Sequence, residues 1–259
     1  MFRPGTAAIV TGIGPGMGRS IAVGFAQRGV HVALAARRKD RLDEVADEVR
    51  ALGGQAIAIP TDITDPDACA GLVDACLDAF GRVDILVQNA HHEGDWARVA
   101  DADPDSWRGI FEVNFFGALH LVQRVLPSMR SQRDGRIVLV NSGAAVRYPV
   151  TMGAYATSKS ALATLTRVLA QEVGGDGVRV NGVFLGPVQG ENLFRSGRSA
   201  AESAGSSLDA WLAAKARELP LGAIPTPDQC AGSVIFLASD LAAPVTGQHL
   251  AVNGGQWCS

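Results

Sequence analysis

The sequence predicts an α/β fold in one domain over residues 1–259: a doubly wound parallel sheet with helices on both faces. Three observations predict it. Short runs of Val, Ile, Leu and Ala alternate with helical patterns along the whole chain. These strands are apolar almost without interruption, as strands buried on both faces are, and right-handed crossovers then put helices on either side. The first strand also runs directly into "VTGIGPGMGRS" (residues 10–20), a glycine cluster placed between strand and helix. At 259 residues, 47% apolar and 19% charged, the chain has enough apolar sequence for one large core.

In order along the chain, "TAAIVTG" reads as a buried strand. A helix follows from about residue 16 to 28, with Ile21, Ala22, Phe25 and Ala26 on one face and Gly29 at its end. "HVALAA" is the second strand. The second helix carries Leu42, Val45, Ala46, Val49 and Leu52 at spacings of three and four, closed by Gly53. "QAIAIPTD" is the third strand. Pro66 opens a helix whose apolar side holds Leu72, Val73, Cys76 and Phe80, with Gly81 after it. "VDILVQNA" is the fourth strand, and one long helix is expected from about 104 to 129. "GRIVLVNS" is the fifth strand, followed by a helix from near 155 to 173. "VRVNGVFLG" is the sixth strand, Pro227 opens the last full helix, and "QHLAVNGG" is the final strand. Residues 190–207 show no clear period and read as an irregular insertion, with a helix in "LDAWLAAKARELP" behind it. Residues 190–219 are thus expected to form a substrate lid, against the plainer reading of a surface loop.

Formal net charge is −3 with both signs scattered, so nucleic acid and anionic membrane are not expected partners. No apolar stretch is long enough to span a bilayer, and the N-terminus lacks a signal peptide's apolar region, so the expected location is the cytoplasm. Cys69, Cys76, Cys230 and Cys258 form no C-x-x-C pair; no metal site is expected, and reduced thiols are.

Glycine between strand and helix permits positive φ and close ligand approach, and the helix start behind it attracts phosphate. The cluster fails G-x-G-x-x-G but fits T-G-x-x-x-G-x-G as Thr11, Gly12, Gly16 and Gly18, with Met17 between the last two. A site for NAD carries an acid about 20 residues past the glycines. Ala36 stands there instead, and Arg37 and Arg38 follow at once, able to fork onto a 2′-phosphate. NADP(H) is therefore favoured over NAD(H). Asp62, ending the third strand, is placed to contact the adenine side. Tyr155 and Lys159 are four apart in a helical segment and project from one face. A nearby ammonium favours the phenolate, which makes the pair a plausible general acid/base. Ser142 ends the fifth strand, at the ligand edge of the sheet. Asn114 sits inside a long helix, as a functional residue or as a bent helix position.

Taken together, Thr11–Gly18, the "DIT" at Asp62, Asn114, Ser142, Tyr155 and Lys159 resemble the short-chain dehydrogenase/reductase family in order and spacing, over nearly the whole chain. The resemblance implies a Rossmann-like fold and hydride transfer between a nicotinamide and a carbonyl or carbinol carbon. It implies Tyr155 as proton donor or acceptor, and Lys159 as binding the nicotinamide ribose and lowering the Tyr155 pKa. Ser142 would position the substrate oxygen, and Asn114 would hold a relay water. Cofactor contacts would come from Thr11, Gly12, Gly16, Met17, Gly18, Arg37, Arg38, Asp62, Ile63, Asn89, Ala90, Pro187 and Val188. It also implies a homotetramer, a homodimer being the alternative, with small residues such as Ala156, Ala161 and Ala163 between subunits and Trp257 in reach of a neighbour.

Three departures stand out. Gln88–Asn89–Ala90–His91 replaces N-N-A-G, Leu185–Gly186 followed by Pro187 and Val188 replaces P-G, and Gly190 stands where threonine is frequent. His91 either meets substrate or cofactor or belongs to the loop with His92. Val146, Tyr148 and Leu193 are substrate candidates, and walls that add Phe194, Trp211, Arg147 and Arg195 point to a medium-sized, largely apolar carbonyl or alcohol. The rival readings are a dinucleotide-binding sensor or scaffold without turnover, and a lyase such as a halohydrin dehalogenase. The full Ser142/Tyr155/Lys159 set argues against the first. Lys159 and the intact glycine motif argue against the second.

Overall fold

The computed structural model describes residues 1–258; Ser259, the last residue of the expected domain, lies outside them. Seven parallel strands lie in the order β3-β2-β1-β4-β5-β6-β7. They are β1 (Ala7–Thr11), β2 (His31–Ala36), β3 (Ala56–Pro60), β4 (Ile85–Gln88), β5 (Gly135–Ser142), β6 (Val178–Leu185) and β7 (His249–Val252). Side chains alternate across the sheet, so Ala8 and Val10 of β1 enter one core and Ala7 and Ile9 the other. The first core is covered by α1 (Met17–Ala26), α2 (Lys39–Ala51) and α10 (Pro227–Ala238) through Phe25, Leu42 and Val234. The second is covered by α3 (Pro66–Phe80), α5 (Gly117–Gln132) and α7 (Gly153–Val173) through Leu72, Leu121 and Leu162. The order reverses between β1 and β4, which opens a crevice at their carboxyl ends.

Local chemistry sets the helix boundaries. Asp65 and Asp103 accept N–H bonds at the starts of α3 and α4 (Pro104–Phe111), each followed by proline. Thr226 and Gln229 form a reciprocal capping box on α10. Gly81 ends α3 with φ 72°. Leu52, expected on the apolar face of the second helix, is instead 48% exposed. It is the C-cap residue of α2, where the chain has turned away from the sheet.

Two expectations need correction. The long helix of residues 104–129 is two helices, α4 and α5, joined by a π-turn at Glu112–Phe116. The stretch 190–207 is not irregular: α8 spans Glu191–Ser203 and packs on α9 (Leu208–Arg217). Gly197 lies buried under Trp211 and Leu208, so the glycine that weakens helix propensity is the residue that lets the two helices close. The short α6 (Ala144–Arg147) follows β5.

Candidate active site

The glycine cluster forms a cradle at the crevice. Thr11 is fully buried, and its hydroxyl is engaged by the end of β4. It accepts the Asn89 and Ala90 N–H groups at 3.1 Å each and donates to the Gln88 side-chain carbonyl. The Asn89 amide donates back to the Thr11 and Gly12 carbonyls at 3.1 and 3.0 Å. β1 and β4 are thus clamped end to end, and both side chains act on the cradle's shape. Gly12 has φ +67°, and a Cβ there would lie 2.6 Å from the Ala90 Cα and N. At Gly18 a Cβ would strike the Gly12 carbonyl. By contrast, a Cβ at Gly14 or Gly16 would meet open space. α1 starts immediately behind with no capping side chain and no acid in its first turn. Its positive end is therefore free for an anion, and the half-buried Met17 packs against the core beside it. Bare backbone, open space and an uncapped helix start fit the pyrophosphate of the dinucleotide that the sequence implies.

At the end of β2, Ala36 offers no acid. Arg38 is tied to Asp40 at 2.5 Å, whereas among the described residues Arg37 makes no ion pair. Asp62 turns onto its own loop and accepts the Thr64 N–H and hydroxyl at 3.0 and 2.8 Å. Those bonds hold its carboxyl below the usual range, and the Arg37 charge adds to them. The Ile63 side chain is in the core, against Gly117. Pro187 and Val188 are half-buried just past β6. Gln189 anchors that segment to the carbonyls of Pro225 and Ile224.

The catalytic candidates converge beside the cradle. Ser142 ends β5, and its hydroxyl accepts the Ala144 N–H at 3.2 Å. Tyr155 and Lys159, one turn apart on α7, are 8% and 2% exposed. The Lys159 ammonium donates to the Val140 carbonyl at 3.1 Å and sits 5.8 Å from the Tyr155 ring centroid. Asn141 holds the Lys159 carbonyl at 3.0 Å. Burial lowers Lys159 to about 8. Burial pushes the Tyr155 phenol up, the Ser142 hydroxyl acts against that rise, and the Glu93 charge adds to it. The expected lowering of Tyr155 by Lys159 is therefore not what governs the phenol here. Desolvation outweighs other influences, and the ammonium is directed at a backbone carbonyl.

Asn114 is fully buried on the π-turn, a local geometry frequent at functional sites. Its amide accepts the His92 N–H at 2.8 Å and donates to the His92 carbonyl and the Ser158 hydroxyl at 2.9 and 3.0 Å. It therefore fixes the loop after β4. On that loop His91 sits with Nδ1 3.4 Å from the Asn89 carbonyl and Nε2 3.4 Å from the Asn192 amide. His91 is exposed on this loop, and desolvation by the protein around it, then the Lys159 charge, favour its neutral form. Of the two histidines, His91 is the one placed at the cleft.

Among the substrate candidates, Val146 and Tyr148 are exposed between β5 and α7, and Leu193 is half-buried on α8. In the same segment Tyr148 and Thr151 hold φ of 52° and 72°. For a β-branched residue such as Thr151 this is strained. Met152, the last residue of "AAVRYPVTM" (144–152), a stretch the sequence offers as a substrate wall, packs on Tyr155 and Ala144; sequence reasoning missed two residues, Glu93 and Asn192. No local pattern marks these two, since they meet only across the cleft. Trp257, expected to reach a neighbour, folds back onto its own chain. It lies against Gly143 and under Arg147, with its carbonyl held by Asn253 at 2.8 Å.

Comparison with known proteins agrees with this geometry. Residues 6–200 match the short chain dehydrogenase family. The 7alpha-hydroxysteroid dehydrogenase of Escherichia coli (strain K12) is 34% identical over 252 residues, covering 97% of this chain and 94% of that protein. The L-sorbose reductase of Gluconobacter frateurii, solved with NADPH and L-sorbose, superposes with TM-score 0.94 at 29% identity over 100% of this chain and 99% of that one. An NAD+-bound xylitol dehydrogenase superposes with TM-score 0.91 at 30% identity, covering 97% of this chain and 99% of the other. The cradle, the buried Tyr155 and Lys159 beside Ser142, and these matches place the chain in the short-chain dehydrogenase/reductase family of oxidoreductases.

Proposed function

We propose that the protein is an NADP(H)-dependent oxidoreductase that interconverts a carbonyl compound and its secondary alcohol, with Tyr155 as general acid/base. The observation that carries this reading is the burial of Tyr155 and Lys159, one turn apart and beside Ser142, at the sheet edge where the glycine cradle opens. When bound, the nicotinamide supplies or accepts the hydride. Gly14, Gly16 and the first turn of α1 would hold the pyrophosphate, and Arg37 the 2′-phosphate. Lys159 would bind the nicotinamide ribose, with Ala90, Pro187 and Val188 around the ring. Ser142 donates to the substrate oxygen and sets its distance from the Tyr155 hydroxyl. In reduction Tyr155 gives that oxygen its proton; in oxidation it takes the proton back. Asn114 fixes the loop beside the pair, and with both amide hydrogens spent it would hold a relay water through its oxygen.

NADPH is expected to bind more tightly than NADH, and Arg37→Ala to remove that preference. A guanidinium–phosphate contact contributes about 1.5–3 kcal/mol, so roughly a tenfold to hundredfold loss of NADPH affinity is expected with little change for NADH. Fluorescence titration of both cofactors checks this; equal affinities in the wild type would sink the phosphate assignment.

We also propose a homotetramer in the cytoplasm. Ala156 and Ala163 are buried within their own chain, so they do not carry the subunit argument. The support comes from two apolar faces, Phe116 with Val168 and Phe236 with Leu250, each residue at least 40% exposed. Light scattering should report four chains; a monomer would refute the assembly, and a dimer would leave one face unpaired. Three cysteines are buried, and burial pushes their thiols up, Cys69 and Cys230 to about 11 and Cys76 to about 12. Protonated, inert thiols suit a reducing compartment. No helix among the described residues is long and apolar enough to cross a membrane.

A further inference from the structure

Two arms of the chain meet over the catalytic pair. One is the loop after β4, carrying His91 and Glu93. The other is α8, carrying Asn192 and Arg195. The Asn192 amide donates to one Glu93 carboxylate oxygen at 3.1 Å and lies 3.4 Å from His91 Nε2. The Arg195 guanidinium donates to the other carboxylate oxygen at 3.1 Å. These contacts join residues about a hundred positions apart, and they are the polar rim of the site. The rim lies within electrostatic reach of the chemistry, since the Glu93 charge acts on Tyr155 and the Lys159 charge acts on His91.

We propose that Glu93 and Asn192 are specificity-determining residues that select neutral substrates bearing a hydroxyl group next to the reacting carbon. This rests on the oxidoreductase reading above. The Glu93 side chain is 25% exposed, so its carboxylate depends on the donors it is given. Asn192 and Arg195 stand largely in solvent on α8, so parting their bonds to Glu93 disturbs no core packing. A substrate hydroxyl replaces the Asn192 N–H as donor to Glu93, and Asn192 then serves as a second partner to the same hydroxyl. The hydrogen-bond count is kept. A hydrocarbon group in that position parts the same contact and offers nothing in return, leaving acceptor and donor unmet. Charge selects in the same direction. Glu93 and Arg195 neutralise each other, so the rim attracts neither an anion nor a cation. This proposal departs from the largely apolar substrate expected from the sequence.

The test compares 2-hydroxycyclohexanone with cyclohexanone, with NADPH as reductant, in the wild type, Glu93→Ala and Asn192→Ala. NADPH affinity is measured by fluorescence in the same samples. The wild type is expected to prefer the hydroxy ketone by at least about tenfold in kcat/KM. Both variants should bring that ratio close to one while binding NADPH as the wild type does. A ratio taken within one variant is insensitive to a general loss of folded protein. Equal use of the two ketones by the wild type overturns the proposal, as does a preference that survives both substitutions. Turnover of neither ketone with NADPH bound overturns the substrate class and leaves the cofactor reading standing. Turnover of neither with no NADPH bound overturns both.

Discussion

On the proposed reading, Tyr155→Phe is expected to lower kcat for carbonyl reduction by about 10²- to 10⁴-fold, the range a positioned proton donor contributes, and to leave NADPH binding intact. The substitution removes one hydroxyl and keeps the ring that packs against Ala144, Ala156 and Met152, so the fold and the neighbouring cradle are undisturbed. Burial pushes the phenol up, so the wild type carries its proton at neutral pH and is ready to act as an acid. The sign of the pH dependence follows. Reduction uses the phenol, so its rate holds at neutral pH and falls as pH rises through the phenol's pKa. Oxidation uses the phenolate, so its rate climbs over the same interval. Burial puts that interval above the ordinary phenol value of about 10, so across pH 6–10 reduction should stay level while oxidation climbs with pH; steady-state kinetics in both directions check this, and the variant should lie low and flat in both. A variant that keeps its kcat, or keeps the wild-type profiles, would assign the proton to another group.

The fold was legible because its signals are local. Strands buried on both faces are continuous apolar runs, and β2 and β5 have the boundaries of "HVALAA" and "GRIVLVNS". Helix starts are marked by Asp65–Pro66, Asp103–Pro104 and Thr226–Pro227, each a capping side chain followed by proline. The failures are non-local. α8 contains Leu193, Phe194, Gly197 and Ala201 at helical spacing, but its glycine counts against a helix until Trp211 is known to lie on it. Thr11 and Asn89 belong to the cofactor motif, yet their side chains are spent on clamping β1 to β4, a role that appears only once the two strand ends adjoin. The rim is the extreme case. Glu93 and Asn192 are ordinary surface residues in sequence, and only the β4 and β6 connections bring them together above Tyr155.

Gly12→Ala and Gly14→Ala, two residues apart in one loop, should fail in opposite ways. At Gly12 the backbone holds φ +67°, which adds about 1–2 kcal/mol for an L side chain. The new Cβ would also press to 2.6 Å on the Ala90 backbone, and overpacking of that kind costs about 1–3 kcal/mol. Neither side can yield easily, because Ala90 is held by its N–H bond to Thr11 and the Gly12 carbonyl by the Asn89 amide. A domain of this size loses about 2–4 °C in Tm per kcal/mol, so a fall of roughly 5–15 °C is expected without any ligand, with nucleotide binding weakened as a consequence. Gly14 lies outside the left-handed region, and a Cβ there meets nothing within 4 Å. Alanine then restricts the unfolded chain at no steric expense, and Tm should hold or rise slightly. Its methyl group nevertheless projects into the space assigned to the pyrophosphate, so NADPH affinity should drop although the protein is as stable as before. Thermal melts and NADPH titrations of the two variants separate the effects. Wild-type stability in Gly12→Ala would mean that the contact with Ala90 relaxes. Wild-type NADPH affinity in Gly14→Ala would place the dinucleotide elsewhere than this cradle.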